Sequence, residues 1–221
     1  MGLPLNLAMT PSEICTCASL PDHIAWMACH FSPYGEGLTN IPRELPAGSM
    51  LILNDRLACG GHSPGLIAEQ LSETVTRLGC ESVLLDFQRP PDPESEAIVG
   101  TILNMLPCPT AVTENYAKPY SCPVLLAPPK LHVELSSYLA PWKGREVWLE
   151  AALCQERIIV DRQGVAYRPQ YPPELLEEGF PDPVLCCRYC TEMNEDSISF
   201  TLFDTKETLG EKLALAESLG V

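Results

Sequence analysis

Short apolar runs that read as strands alternate with stretches of helical spacing through the first two thirds of the chain. The clearest strand pattern is Glu81-Ser82-Val83-Leu84-Leu85-Asp86-Phe87-Gln88. Successive strand residues face opposite ways, so Val83, Leu85 and Phe87 form one apolar face, while Ser82, Leu84, Asp86 and Gln88 share the other. Similar patterns predict strands over 5–9, 23–30, 49–55, 110–114, 123–127 and 146–151. Between them, Ile67, Leu71, Val75 and Leu78 mark a helix that begins at Ser63-Pro64 and stops at Gly79. Ile98, Val99, Ile102, Leu103 and Leu106 mark a second helix after the loop Arg89-Pro90-Pro91-Asp92-Pro93. Shorter helices are expected near 12–19 and 133–139.

Seven strands with helical or loop crossovers are the signature of parallel βα units. The pattern then changes. Residues 157–167 read as a hairpin turning at Arg162–Gly164, followed by a Pro-rich connection and antiparallel strands near 184–192 and 197–203. A last helix is capped by Asp204 or Thr205, with Leu209, Leu213 and Ala216 inward and Gly220 at its end. Polar strand ends, and no Gly-rich phosphate loop after the first strand, favour a barrel over an open doubly wound sheet. The expected architecture is a single α/β domain over 1–221. It is an incomplete (β/α) barrel of TIM type with about seven parallel strands, no eighth strand, and an antiparallel insertion over about 155–203 before the last helix. Its open edge needs a cover, either the 157–167 hairpin or a second copy of the chain in a homo-oligomer.

Composition narrows the function classes. The chain has 221 residues, 46% of them hydrophobic, and a net charge of −15. That charge excludes a phosphate backbone as the natural partner. No apolar run is long enough for a membrane helix, and the first residues lack a signal-peptide pattern, so a cytoplasmic protein is expected. Eleven cysteines without a secretory pattern read as reduced thiols. The Cys186-Cys187-Arg188-Tyr189-Cys190 cluster offers one C-x-x-C with no matching second pair, so neither metal nor cofactor is expected.

The strand over 49–55, the following Cys59-Gly60-Gly61, and the strand over 81–88 resemble the third and fourth barrel strands of family-18 glycoside hydrolases. Residues 203–221, with Asp204, Thr205, Lys212 and Gly220, resemble that family's last crossover helix. The fourth-strand pattern of the family is D-x-x-D-x-D-x-E. Its positions fall here on Glu81, Leu84, Asp86 and Gln88, so the resemblance implies that the general acid is replaced by an amide. The family's sixth-strand Met-x-Tyr-Asp is matched by Val124-Leu125-Leu126-Ala127, and no eighth strand with its sugar-floor Trp falls within the chain.

An amide has no proton to transfer, and general acid–base participation is worth roughly 10²–10⁴-fold in rate. The resemblance therefore implies a pseudo-glycosidase that binds an amino-sugar oligosaccharide or acts as a scaffold. One alternative is a hydrolase using Asp86 with Glu114. Another is a protein–protein interaction module. Asp55, Gln88, Tyr116, Trp148 and Glu150 are the further ligand-binding candidates. The competing structural reading is that the acids satisfy loop amides, helix N-termini or Arg56 and Arg89. By the same reasoning His30, His62 and His132 are loop or surface residues.

Overall fold

The computed structural model describes residues 5–127, 135–151, 153–169, 178–182 and 187–220. They form two units, one of residues 1–126 with 144–148 and the other of residues 127–143 with 149–221. The first contains β1 (Leu7–Met9), α1 (Pro11–Thr16), β2 (Ile24–Phe31), β3 (Leu38–Thr39), β4 (Met50–Asn54), α2 (Pro64–Leu78), β5 (Ser82–Asp86), α3 (Pro93–Met105), β6 (Thr110–Thr113), α4 (Glu114–Ala117), β7 (Val124–Leu126) and β8 (Val147–Leu149), whose last residue falls in the second unit. The sheet order is β1-β2-β4-β5-β6-β7-β8, and β3 folds back antiparallel on β2. This is the expected incomplete (β/α) barrel: seven parallel strands curl without closing, and β1 does not pair with β8 among the described residues.

Local chemistry explains the element ends. Gly79 stops α2 in the left-handed region (φ 65°), a conformation that costs a glycine nothing. Ser63 occupies the N-cap position of α2 but, against expectation, makes no side-chain capping bond; Pro64 alone marks this start. Asp92 caps α3 by accepting from the N–H groups of Glu94 and Ser95, both at 2.9 Å. These bonds, the one from Ser95 foremost, hold its carboxyl below the usual range. The strand expected over 110–114 ends at Thr113, and Glu114 opens the turn of α4 instead.

The two sheet faces differ. Ala25, Ile52, Leu84 and Ala111 cluster on the concave face, with Met50, Leu125 and Trp148 packed against them. On the other face Leu51, Leu53, Val83, Leu85, Phe87 and Val112 are buried, as are the apolar stripes of α2 and α3.

Cys29 shares that helix-side core, and burial pushes its thiol from the ordinary 9.0 up to about 12. The unfolded chain loses this proton first as pH rises. Stability carried by the protonated thiol is therefore complete below pH 9 and falls between about 9 and about 12, by about 1.4 kcal/mol per unit. Urea unfolding of wild type and Cys29→Ala across that range is expected to show a shallower alkaline loss in the variant. Equal slopes would refute the assignment.

The second unit holds α5 (Leu135–Leu139), β9 (Gln155–Asp161), β10 (Ala166–Tyr167), β11 (Phe180–Asp182), β12 (Cys187–Met193), β13 (Ser197–Phe203) and α6 (Lys206–Leu219). Its strands form an antiparallel sheet in the order β10-β9-β13-β12-β11. The insertion is thus a five-stranded sheet, and its β9–β10 hairpin pairs with β13 rather than with a barrel strand. Thr205 is the N-cap of α6; Ala216 is buried as expected, while Leu209 and Leu213 are half-buried. No helix among the described residues is long and apolar enough to cross a membrane. Cys187 is buried, and Cys190 lies with its Sγ 3.2 Å from the carbonyl of Glu178. Cys186 and His132 fall outside the described residues.

Candidate functional site: the C-terminal rim of the barrel sheet

Asp86 ends β5 on the concave face, two residues beyond Leu84 of the apolar floor. Its Oδ1 accepts from Nε2 of Gln88 at 2.5 Å, so the two candidates first singled out from one strand do meet. Asp86 pairs in register with Asn54 of β4, which pairs with His30 of β2. Three adjacent strands therefore bring His30, Asn54 and Asp86 into one polar layer above the floor. With strands about 4.8 Å apart, the layer spans roughly 10 Å.

A β-bulge puts His30 there. Trp26 pairs with Leu51 and Cys29 with Leu53, so Met27 and Ala28 together oppose Ile52. The extra residue reverses the alternation beyond it: Cys29 turns into the helix-side core and His30 turns to the concave face. Asn54 ties the bulge down by donating from Nδ2 to the carbonyls of Met27 and Cys29, both at 3.0 Å. Its Oδ1 accepts from the N–H of Arg56 at 3.2 Å. His30 Nδ1 lies 2.8 Å from the carbonyl of Phe31, which only accepts, so Nδ1 carries the hydrogen. Nε2 is then the acceptor for the Asn40 amide at 3.0 Å. The two bonds fix the orientation of the His30 ring.

The other candidates divide. Trp148 lies half-buried against the concave apolar floor and donates from Nε1 to Glu146 at 2.8 Å. Glu114 is exposed at the start of α4, and no hydrogen bond or ion pair joins it to Asp86 among the described residues. Tyr116 is only 2% exposed on the helix side. It packs edge-on to Phe87 at 5.5 Å and its hydroxyl is 3.0 Å from Ser95 Oγ. Burial, the largest influence on it, raises its phenol. Asp55 also points to the helix side, 5% exposed, and accepts from the backbone N–H groups of Gln88 (2.9 Å) and Arg89 (2.8 Å). That is the loop-amide role that competed with ligand binding. Glu150 is exposed beyond β8, in the second unit.

Sequence reasoning missed His30 and Asn54. Asn54 was within reach, because alternation puts it on the face of Ile52 and opposite to Asp55. His30 was not, because simple alternation places it on the wrong face. The layer brings together one carboxylate, two amides and an imidazole. Both ring nitrogens of His30 and the amide of Asn54 are taken by bonds within the rim, so the groups the layer presents to a ligand are Asp86 and Gln88. The second carboxylate that glycosidic hydrolysis ordinarily requires is not in the layer. Among the described residues no cluster of His, Cys, Asp and Glu is arranged to hold a metal ion.

The chain's structure is similar to that of the spore cortex-lytic enzyme SleL of Bacillus cereus (TM-score 0.63, 11% identity), covering 97% of this chain and 68% of that one. It is also similar to the "putative sporulation-specific glycosylase ydhD" from Bacillus subtilis (TM-score 0.59, 9% identity), covering 90% of this chain and 89% of that one. The chain shares its fold with these two proteins. At these identities the likeness is one of fold alone. No family model matches the chain, and no curated protein does.

Proposed function

We propose that the chain is a family-18-like pseudo-glycosidase, binding an amino-sugar oligosaccharide at the rim without the standard hydrolytic step. One observation carries this reading: the place of the family's general acid is taken by Gln88, whose amide is hydrogen-bonded to Asp86. An amide can orient a sugar hydroxyl or acetamide, but it cannot protonate a departing oxygen. The glycosidase-like fold supports a carbohydrate as ligand, and the apolar floor under a polar layer suits a sugar, which has both kinds of surface.

Calorimetric titration with N-acetylglucosamine oligomers, run beside a reducing-end assay, tests it. Wild type is expected to bind saturably without turnover. Asp86→Ala removes a charged hydrogen-bond acceptor, worth about 1.5 kcal/mol, and is expected to weaken binding about tenfold. Turnover that disappears in Asp86→Ala or Glu114→Ala would replace this reading with the two-carboxylate hydrolase. Neither binding nor turnover would favour the interaction module.

A further inference from the structure

On β13, the middle strand of the five-stranded sheet, the usual burial of an antiparallel strand is inverted. Ser199 and Thr201 are buried, while Ile198 and Phe200, which point the other way, are exposed. Arg157 of β9 donates to Glu192 of β12 (2.7 Å) and to Ser199 Oγ (3.2 Å), so the polar side chains of the covered face bond to one another.

The strand register carries the exposed face across all five strands, because residues directly opposite in an antiparallel pair share a face. Met193, Ile198, Val160 and Ala166 form one row. In the next, Phe200 lies between Thr191 and Ile158. Phe180, Tyr189, Leu202 and Glu156 make the third, with the Phe180 and Tyr189 rings 5.8 Å apart. Of these positions, Thr191 and Glu156 alone interrupt the apolar and aromatic side chains. The one charge, Glu156, is paired with Arg168 at 3.2 Å.

Met193 is 79% exposed, Phe180 65%, Phe200 40% and Ile198 37%. Large side chains offer about 150–250 Å² each, so these fractions, with the half-buried members of the rows, make about 500 Å² of apolar surface. A standard interface takes about 800 Å² from each partner, and a homodimer's is about 65% apolar, which is again about 500 Å². Contacts between unlike proteins that come and go are less apolar than that. The charge pattern points the same way. A chain of net charge −15 repels its own copy except where its surface carries no free charge, and this face is such a place. The sheet's edges are closed to strand addition, since β10 has two residues and β11 carries Pro181.

We propose that two copies of the chain pack these faces together about a two-fold axis, forming a sheet-on-sheet homodimer. Aligned sheets pack about 10 Å apart with their side chains interdigitated. Phe200 is the middle residue of the middle strand, so an axis through the face brings it against its counterpart in the second copy.

An interface of this area gives a Kd of about 10 μM or lower, so sedimentation equilibrium of the full chain from about 1 to about 200 μM should show 24.2 kDa passing to twice that mass. Added salt is expected to tighten the dimer, because it screens the repulsion between two acidic chains. Phe200→Glu sets two like charges against each other and is expected to raise Kd at least about 100-fold. Phe200→Leu keeps the contact apolar and is expected to stay within about tenfold. Met193→Glu costs the monomer little, because that side chain is already in water, and is expected to raise Kd about tenfold. It decides the matter if Phe200→Glu does not fold by circular dichroism. A wild type that stays at 24.2 kDa over the whole range overturns the proposal and leaves the face to a different protein. A dimer that withstands both Glu variants, or that salt dissociates, overturns it too, because another surface would be holding the copies together.

Discussion

Asp55→Ala is expected to lower stability by about 3 kcal/mol. The carboxylate is buried and takes two backbone donors, the N–H groups of Gln88 and Arg89, where the chain leaves β5. The same corner is closed from the other side: Arg89 Nε donates to the carbonyl of Asp55 (3.0 Å) and its Nη2 to that of Arg56 (3.1 Å). Removing the carboxylate strands two amide donors, and each unsatisfied buried group costs roughly 1–3 kcal/mol. Asp55→Asn keeps one acceptor but turns an NH₂ toward the other N–H, so it is expected to recover about half the loss. Urea unfolding gives the magnitude, and hydrogen exchange at the amides of Gln88 and Arg89 gives the location. Because Gln88 hangs from Asp55 through its backbone, oligosaccharide binding is expected to weaken in parallel. A loss below about 1 kcal/mol, or unchanged exchange at those amides, would show that Asp55 is not the brace.

Asp204→Ala is expected to cost about as much, through an ion pair in the second unit. The Asp204 side chain is fully buried beside Lys212, whose Nζ lies 2.8 Å from Oδ1 and 2.6 Å from Oδ2. Oδ2 also accepts from Cys154 N–H at 2.6 Å, and Oδ1 from the Thr208 hydroxyl at 2.9 Å. One carboxylate thus joins the start of β9 to the first turns of α6. Deleting one member of a buried pair costs about 3–5 kcal/mol. Lys212 keeps some contact with water, so the low end of that range is expected. Lys212→Met leaves a fully buried carboxylate with two neutral donors and no counter-charge, so it should cost at least as much as Asp204→Ala. The double variant should be more stable than the sum of the two losses predicts, since no unpaired charge remains. Additive losses would mean that the pair contributes through its separate hydrogen bonds alone.

Much of the barrel was readable from short-range pattern. The alternation over 82–88, the stripe Ile67, Leu71, Val75 and Leu78, and Gly79 after it each reflect a local rule: period two, period 3.6, and a left-handed stop. The strand expected over 82–88 ends at Asp86, so Gln88 lies in the loop just beyond it and still reaches back two residues to the carboxylate. The five-stranded sheet was not readable, because a hairpin and two strands do not say which of them pair; β9 finds β13 about forty residues away.

Functional placement depended on neighbours that no local window contains. Asp55 and Tyr116 looked like rim residues because they follow strand ends, yet both settle on the helix side. There two backbone amides take the carboxylate of one, and Phe87 and Ser95 take the ring and hydroxyl of the other. His30 looked like a surface histidine, and the bulge at Met27–Ala28, tied by Asn54 from the adjacent strand, turned it into the rim. The sequence by itself determined where most of the barrel's strands and helices run and that β5 ends in Asp86, with Gln88 two residues beyond it. Those properties depend on side-chain chemistry and the period of a single element. Which polar groups share the rim was decided only by the tertiary structure, because one extra residue in β2 reverses every facing beyond it, and what holds that residue in place lies on another strand.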